Sequence, residues 1–328
     1  MTRNISLFIA HFLLIVSARA GAQTVQELQK YYSGTTHWNA QNATLTFESS
    51  GKLEFDRQDT CFNYFWNVPN EVKKIVINEN TTVTAGFHTY NDCIIEGENR
   101  KTSVIYGTPE QSWANNRKIV AWKYSHILNH GGVLRINNLS MINPYSFFVR
   151  SFNQLAHIRN CDFIDYRGGH HNHSDGFAGG DGSTVDNCYF ATGDDAIKLY
   201  ADMTVTNTTI EMITNCVPIQ LGWGNYSDGA VGTFKNLTII GEAGRNNSDM
   251  AVISGRKGKY EVTVNIDGCE IKNPNAVLVS LWDETMTLNG EIKNARINVR
   301  AYSDRRTAGT DNLVVCGARE KKSKYNCK

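Results

Sequence analysis

The sequence predicts an all-β protein that folds as one domain, a parallel β-helix. The first observation is a short β-rich run that recurs along the chain and ends each time at a turn-forming residue. The turn residues are Asn138, Asn160, Asn187, Asn207, Asn236, Gly268 and Asn294. Their successive separations are 22, 27, 20, 29, 32 and 26 residues. A fixed local pattern with variable spacing is typical of a solenoid, whose coils stack in register while loops of any length project outward.

An apolar residue three positions after the turn supports the same fold. In the first six segments this position holds Met141, Phe163, Phe190, Ile210, Ile239 and Ile271. Stacked coils would place these side chains in one interior column, and would let the turn amides hydrogen-bond to one another in a ladder. An antiparallel β-sandwich with asparagines in ordinary turns is the alternative, but hairpin sequences such as Asn289–Gly290 are scarce.

A second repeat aligns a small residue followed by an apolar one in five later segments. These pairs are Gly176–Phe177, Ala196–Ile197, Pro218–Ile219, Ala251–Val252 and Ala276–Val277. In this register Asp175 lies directly beneath Asp195, and neighbouring strands are about 4.8 Å apart. Asp194 precedes Asp195, so we expect its side chain to leave on another side of the turn. The three acidic residues are therefore predicted to converge.

The two ends of the chain have sequence patterns of their own. Residues 1–20 combine a basic start, an apolar run and small residues suited to cleavage after position 20 or 22. This predicts a signal peptide and a secreted protein, extracellular or periplasmic. Residues 23–318 form the predicted β-helix, with an N-terminal cap over about 25–65 that includes an amphipathic helix at Val25–Tyr32. Residues 319–328 are a basic tail.

Three upstream segments are predicted to be the opening coils of the β-helix. They are Val72–Val83, Cys93–Tyr106 and Lys118–Tyr124. No stretch of the chain has the composition of a linker, which favours a single domain. We expect a monomer.

The bulk composition excludes several classes of function. The 328-residue chain has a formal net charge of +1, with acidic and basic residues mixed throughout. Nothing in this composition resembles the charge pattern of a nucleic-acid-binding protein, although it leaves room for a local basic patch. No segment after the signal peptide is apolar enough to cross a membrane.

Eight cysteines in an exported chain predict at least one disulfide. The favoured pair is Cys316 with Cys327, which closes a short C-terminal loop. Cys161 and Cys188 recur at one place in successive coils, so they form either a disulfide or a stack of buried thiols. Cys61–Cys93 is a further candidate pair.

The predicted cluster of carboxylates has the groups that hydrolysis of a glycosidic bond requires. Two carboxylates one strand apart disfavour simultaneous ionisation, so one keeps its proton to higher pH and stands beside an acceptor. We assign Asp194 as the general acid, and Asp175 and Asp195 as the residues that hold and deprotonate the attacking water. Room for that water implies carboxyl groups roughly 6.5–9.5 Å apart and inversion at the anomeric carbon. The alternative is that Asp194–Asp195 is only a solvated turn after Gly193.

The residues around the aspartates resemble a known family. Ser174–Gly176, Gly193–Lys198 and Gln220–Trp223 are together similar to the dextranases and isopullulanases of glycoside hydrolase family 49, over about residues 170–225. The resemblance implies a right-handed parallel β-helix of the pectin-lyase-like type, inverting endo-hydrolysis of an α-glucan, no metal or other cofactor, and the three roles given above. The N-terminal β-sandwich of that family is absent or vestigial here, because the segment before the first coil is short.

The same layout also resembles the polygalacturonases of family 28, which hydrolyse an acidic polysaccharide. That family shows Asn-Thr-Asp, Asp-Asp-Cys and Gly-His-Gly, where this chain has Ser174–Asp175, Asp195–Ala196 and Gly222–Gly224. Family 49 therefore ranks above family 28. A polysaccharide lyase and a non-catalytic carbohydrate-binding β-helix are further alternatives, because solenoids support many functions.

Several neighbouring side chains are candidates for binding a polysaccharide. Lys198 follows Asp195 on the same strand and could hold a carboxylate ionised or bind sugar hydroxyls, and Gln220 takes the matching position one coil on. The other candidates are Tyr200, Trp223, Trp282, Asn172, His173 and Arg256.

The chemistry of these side chains suggests how each would act. Trp223 suits stacking on a pyranose face, and Arg256 would bind a carboxylated sugar in a bidentate way. His170, His171 and His173 do not have a recognised zinc spacing, so we expect no metal there.

Overall fold

Parallel strands stack coil upon coil, and each regular coil contributes one strand to each of three sheets. The computed structural model describes residues 23–57, 62–111, 113, 120–151, 153–168, 172–213, 215–222, 227–242, 251–303 and 307–319. Among these residues the strands pair in parallel, except in the hairpin of β1 (Thr36–Asn39) and β2 (Thr44–Phe47). The predicted parallel β-helix is therefore confirmed.

The three sheets are named A, B and C in the order in which each coil enters them. Sheet A begins with β2, β5 (Lys74–Ile77), β8 (Cys93–Gly97), β11 (Leu134–Asn137), β14 (Ala156–Arg159), β17 (Ser183–Asp186) and β20 (Met203–Thr206). Sheet B begins with β3 (Gly51–Lys52), β6 (Thr81–Thr84), β9 (Ser103–Tyr106), β12 (Ser140–Ile142), β15 (Asp162–Ile164), β18 (Tyr189–Ala191) and β21 (Thr209–Met212).

Sheet C lies after the turns that carry the aspartates. It contains β4 (Phe65–Asn67), β7 (Gly86–Thr89), β10 (Ile127–Asn129), β13 (Val149–Ser151), β16 (Phe177–Ala178), β19 (Ile197–Lys198), β22 (Ile219–Gln220) and β24 (Ala251–Gly255). The last coils use long strands that pass from one sheet into the next, namely β23 (Val231–Gly241), β25 (Tyr260–Leu281) and β26 (Met286–Ser303). Strands β27 (Thr310–Asp311) and β28 (Val314–Arg319) follow.

The turns between sheets A and B are built on asparagine. Each predicted turn residue has a positive φ, between 50° and 56° at the asparagines and 76° at Gly268. Asparagine tolerates this left-handed backbone better than other residues with a side chain. Asn160 Nδ2 donates to Asn138 Oδ1 at 2.6 Å, and Asn187 Nδ2 donates to Asn160 Oδ1 at 3.0 Å. The predicted amide ladder is present, and it satisfies amide groups of the partly buried Asn138 and Asn160.

The interior is filled by columns of apolar side chains in register. The predicted column of Met141, Phe163, Phe190, Ile210, Ile239 and Ile271 is fully buried, and each member pairs with the next coil. The rings of Phe163 and Phe190 stack with centroids 4.2 Å apart. Because the columns continue from coil to coil, each turn of the chain buries its apolar face only against its neighbours.

A short helix covers the N-terminal end of the core. Helix α1 (Val25–Tyr31) matches the predicted one, and Val25 and Leu28 are buried against the first coils. Its start is fixed by a capping box, in which Thr24 Oγ1 accepts from Glu27 N at 3.0 Å and Glu27 Oε2 accepts from Thr24 N at 3.1 Å. No helix among the described residues is long and apolar enough to span a bilayer.

Two local expectations are wrong. In the predicted coil Lys118–Tyr124, of which the structure describes residues 120–124, Ala121–Tyr124 is a 3-10 helix and not a strand, and Tyr124 packs in an aromatic cluster outside the main core. The strand register after Ile219 also differs from the predicted one, which aligned Ile219 with Val252 and Val277. In the structure Ile219 pairs with Ile253, and Ile253 pairs with Val279. Small and apolar residues follow one another closely in these strands, so the pairs fit more than one alignment.

Only one predicted cysteine pair has both of its members among the described residues. Cys161 and Cys188 are both buried and unbridged, which is the second of the two predicted arrangements. Cys93 is also a buried thiol, in disagreement with a bond to Cys61, which lies outside the described residues. Cys327, the signal peptide and residues 320–328 of the tail also lie outside the described residues.

Candidate active site

Two successive turns between sheets B and C bring the three aspartates together. Asp175 directly precedes Gly176 and β16, and Asp194 and Asp195 precede β19. Gly176 N donates to Asp195 O at 2.8 Å, so Asp175 lies one coil below Asp195. One carboxylate oxygen from each of the three residues lies within 4.8 Å of the others. The structure therefore contains the predicted cluster.

A buried lysine lies between two of these carboxylates. Lys198 Nζ is 2.6 Å from Asp175 Oδ1 and 2.8 Å from Asp195 Oδ2. All three residues are buried, and Lys198 is only 4% exposed. Lys198 therefore pairs with carboxylates, which is the first of its two predicted roles.

Burial dominates the ionisation of this group. It raises the pKa of Asp195 to about 6, although the ammonium of Lys198 opposes the shift. The pKa of Asp175 is raised well above its usual range for the same reason, and the neighbouring Asp194 and Asp195 add to the effect. Burial disfavours charge on Lys198 too, but Asp175 and Asp195 outweigh it and raise its pKa. Lys198 is therefore a permanent cation between two acids that ionise late.

Asp194 is the most accessible member of the cluster. Its side chain is 16% exposed, compared with 5% for Asp175 and 9% for Asp195. His173 Nδ1 lies 3.3 Å from Asp194 Oδ2, and Asn215 Nδ2 donates to Asp194 Oδ1 at 3.1 Å. These contacts fix a carboxyl group that solvent can reach.

The loop before Asp175 is held by a second buried ion pair. Arg167 Nη2 lies 2.6 Å from Asp165 Oδ2, and the guanidinium also donates to backbone carbonyls of neighbouring loops. Asn172 Nδ2 donates to Asp165 Oδ2 at 2.9 Å. Ser174 Oγ then accepts from Gly193 N at 2.9 Å, which ties this loop to the next turn. The segment that carries His173 is thus anchored on both sides.

A row of polar side chains continues from Lys198 towards the C-terminus. Lys198 pairs in register with Gln220, Gln220 with Ser254, and Ser254 with Ser280. Gln220 and Ser254 are 1% exposed. Among the described residues, Gln220 Oε1 and Ser254 Oγ have no hydrogen-bond partner. Since buried polar atoms are normally paired, this row is a candidate for contact with a ligand or water.

Aromatic and cationic groups flank the cluster. Lys198 Nζ lies 5.7 Å from the centre of the Tyr200 ring and 5.6 Å from that of Phe147. The Arg256 guanidinium stacks 3.8 Å from the centre of the Trp282 ring. Arg256 also acts on the pKa of Asp195, which it lowers, so it lies on the same side of the β-helix as the aspartates.

Some predicted site residues lie elsewhere. The predicted contact of Asn172 with substrate is not supported, because its side chain is fully buried against Asp165. Trp223, His170 and His171 lie outside the described residues. One oxygen of each carboxyl group lies within 4.8 Å of the others, while the gap of roughly 6.5–9.5 Å between whole carboxyl groups stays a prediction.

Several site residues had no clear sign in the sequence. Asn215 and Phe147 come from turns one coil away from the aspartates, and Arg167 acts through loops that pair only in the folded chain. Ser254 was missed because the predicted alignment of this coil with the one before it was wrong by one residue. Ser254 is the one polar side chain in the otherwise apolar or glycine sequence of β24, and that is the signal that could have found it.

Clustered carboxylates also suit a hard cation. Here Lys198 Nζ already lies within 2.8 Å of an oxygen of two of the three aspartates. A metal ion bound by all three would have to displace this ammonium group.

Comparisons with known proteins bear on the fold. No protein-family model matches the chain, and no curated protein matches it. Among solved structures, Dex49A from Penicillium minioluteum is similar, with a TM-score of 0.62 and 13% sequence identity over 83% of this chain. The match covers 54% of Dex49A, so the chain spans about half the length of that protein. At this identity the likeness shows a shared β-helix fold.

Proposed function

We propose that this protein is a secreted glycoside hydrolase that cuts an α-linked polysaccharide within the chain, with inversion, and that its substrate is a dextran- or pullulan-type α-glucan. The observation that carries the proposal is the cluster of Asp175, Asp194 and Asp195, with one accessible carboxyl group beside two buried ones. The resemblance of the surrounding motifs to family 49 and the fold shared with Dex49A support it.

Asp194 is the proposed general acid. Its carboxyl group is the most exposed of the three, so it is the one best placed to reach the oxygen of a glycosidic bond. Asp194 gives its proton to that oxygen as the bond to the anomeric carbon breaks. His173 and Asn215 hold its side chain in place and are proposed as positioning residues.

Asp175 and Asp195 are the proposed acceptors. A water held between them adds its oxygen to the anomeric carbon, and its proton passes to Asp195 or Asp175. Lys198 keeps the pair in position and favours its ionised state. The raised pKa of Asp195, about 6, makes it a stronger base than an exposed carboxylate once it is ionised.

The short distance between the carboxylates bears on the stereochemistry. In sites with two acids, a gap of about 5 Å favours a covalent intermediate and retention, whereas inversion uses a wider gap. We propose inversion because the resemblance to family 49 implies it, and because one oxygen of each buried acid is already paired with Lys198. Proton NMR of the first product decides between the two, since an inverted anomer is expected and a retained one would refute the water-attack scheme.

Hydrolysis of an acidic polysaccharide is a second candidate. Arg256 is the observation that favours it, because its charge acts on Asp195 and its guanidinium could hold a carboxylated sugar. The stack of Arg256 on Trp282 would place that contact on the C-terminal side of the cluster.

A reducing-sugar screen across dextran, pullulan, polygalacturonate and sulfated algal glycans tests the function. New reducing ends from dextran or pullulan are the expected result, and release from polygalacturonate alone would favour the second candidate. An unsaturated product that absorbs in the ultraviolet would identify a lyase. Binding without any new reducing ends would identify a non-catalytic protein.

A further inference from the structure

A cavity opens over the first coils, on the N-terminal side of the aspartates. Its volume is about 350 Å³. The residues that dominate its lining are Tyr64, Tyr106, Trp113, Tyr145 and the exposed Lys52 and Glu110. None of these residues belongs to the carboxylate cluster.

The wall of this cavity contains a buried hydroxyl group without a partner. The Tyr145 ring is stacked on Tyr64, with centroids 5.6 Å apart, and contacts Trp113 at 4.6 Å. Tyr145 is 2% exposed, and its hydroxyl has no hydrogen-bond partner among the described residues. Burial raises the pKa of Tyr145, so the hydroxyl stays a neutral donor. Leaving such a group unpaired costs on the order of 1–3 kcal/mol, which a ligand oxygen would recover.

One turn connects the cavity to the aspartates. Tyr145 and Phe147 are two positions apart, and the Phe147 ring lies 5.6 Å from Lys198 Nζ. Two residues of extended chain reach at most about 7 Å, so the cavity and the carboxylate cluster are neighbours along one side of the β-helix.

The rim of the cavity is also fixed to the chain segment that leads to His173 and Asp175. Arg167 donates to Pro144 O at 2.8 Å, to Thr108 O at 3.1 Å, and to Glu110 O. The same guanidinium pairs with Asp165. The cavity is therefore held in a set position relative to the loop that carries His173.

We propose that this cavity is a remote subsite, which binds one or two neutral sugar units of the polysaccharide away from the bond that is cut. The inference rests on the proposed function. Aromatic walls suit the apolar faces of a pyranose, and the cavity is at the small end of the range for small-molecule sites. Lys52 Nζ lies 3.1 Å from Glu54 Oε2 and 4.6 Å from the centre of the Tyr64 ring. Because its charge is already paired with Glu54, Lys52 is not a dedicated site for the carboxylate of a uronic acid. The lining therefore favours a neutral sugar.

Affinity electrophoresis of the full chain in gels containing dextran or pullulan tests this subsite separately from hydrolysis. The Asp194→Asn variant serves as the background, so that binding is measured without turnover. Adding Tyr106→Ala should weaken retardation about tenfold, the effect of losing roughly 1.4 kcal/mol of binding free energy. Tyr90→Ala is the matched control, because Tyr90 stacks on His130 and does not line the cavity.

A second variant controls for misfolding of the Tyr106→Ala protein. Tyr145→Phe removes only the unpaired hydroxyl, so we expect weaker binding with an unchanged or higher melting temperature. In the Asp194-containing enzyme, Tyr106→Ala should lower kcat/KM on the long polymer and leave a trisaccharide of the same sugar unaffected.

The outcomes separate the two proposals. If the wild type releases reducing ends while the Tyr106→Ala and Tyr145→Phe variants bind as tightly as the Tyr90→Ala control, the subsite is wrong and the proposed function stands. If binding depends on Tyr106 and no reducing ends appear, the subsite stands and the proposed function is wrong. A chain that neither binds nor cuts either glucan contradicts both.

Discussion

Lys198 Nζ lies 2.6 Å from Asp175 Oδ1, across two successive coils of the β-helix. The same ammonium lies 2.8 Å from Asp195, so one buried cation serves two buried anions. Buried ion pairs gain little over apolar side chains of the same size, but breaking one leaves a charge without a partner. The arrangement is thus easier to explain by the chemistry of the site than by the stability of the fold.

Removing the lysine should destabilise the protein strongly. We expect Lys198→Met to lower the free energy of unfolding by about 3–5 kcal/mol at pH 7, because two buried carboxylates then lose their partner. This loss in the free energy of unfolding should be smaller at pH 4, because the two acids can then take up protons. Chemical denaturation at both pH values measures this. Lys272→Met is the control, since Lys272 is 58% exposed and its pair with Glu270 should contribute under about 1 kcal/mol. Equal losses in the two variants would contradict the role of Lys198.

Neutralising the proposed acid should stop catalysis and leave the fold unchanged. Asp194→Asn keeps the shape of the side chain but has no proton to give, so turnover should fall at least about a hundredfold. Initial rates of reducing-end release measure the loss. Asp56→Asn, an exposed acid in the N-terminal region, should keep full activity. Near-normal turnover in the Asp194 variant would rule out the assignment.

The raised pKa of Asp195 predicts an acidic limit to activity. The carboxyl group must be ionised to accept a proton, and its pKa in the folded protein is about 6. We therefore expect kcat/KM to fall about tenfold per pH unit below pH 6. A pH–rate profile that stays flat down to pH 4.5 would show that Asp195 is not the base.

The same pKa predicts the opposite trend for stability. Folding raises the pKa of Asp195 from 3.8, so the folded chain holds a proton that the unfolded chain has lost between these values. The stability that this proton contributes to the folded chain is fully present below pH 3.8 and is lost as the pH rises through 6. Asp195→Asn removes it, so the variant should gain about 1–3 kcal/mol relative to the wild type on going from pH 4 to pH 7.5, as measured by denaturation. A difference that does not change with pH would contradict this.

The asparagine ladder can be tested by separating backbone from side chain. Asn160 has φ of 55° and takes part in hydrogen bonds with Asn138, Asn187 and Arg100. Both Asn160→Gly and Asn160→Ala lose these bonds, but only glycine accepts the left-handed backbone without cost. We expect the alanine variant to be the less stable of the two by about 1 kcal/mol in urea denaturation. Equal stability would show that the backbone at this turn relaxes.

The parts of the fold that follow local rules could be predicted from the sequence. The left-handed turn favours asparagine, so Asn138 and its equivalents marked each coil, and the apolar column beginning at Met141 followed from their spacing. The juxtaposition of Asp175 and Asp195 also followed, because two neighbouring coils of fixed register determine it.

The parts that depend on contacts between loops could not be predicted. Arg167 joins three segments of chain whose sequences do not indicate that they meet. Asn172 was expected at the surface of the cleft, whereas its amide is buried by Asp165. The register beyond Ile219 also failed, because a run of similar apolar residues gives no unique alignment.

The buried amide of Asn172 has a practical consequence for producing the protein. Asn172-His173-Ser174 is an acceptor sequence for N-linked glycosylation. A glycan added there before folding would replace a hydrogen of the amide that now donates to Asp165, and could not fit in a site with no exposed surface. Expression through a eukaryotic secretory pathway should therefore yield chains in which the Asn172–Asp165 hydrogen bond cannot form as it does here, and a bacterial host is the better source of correctly folded protein.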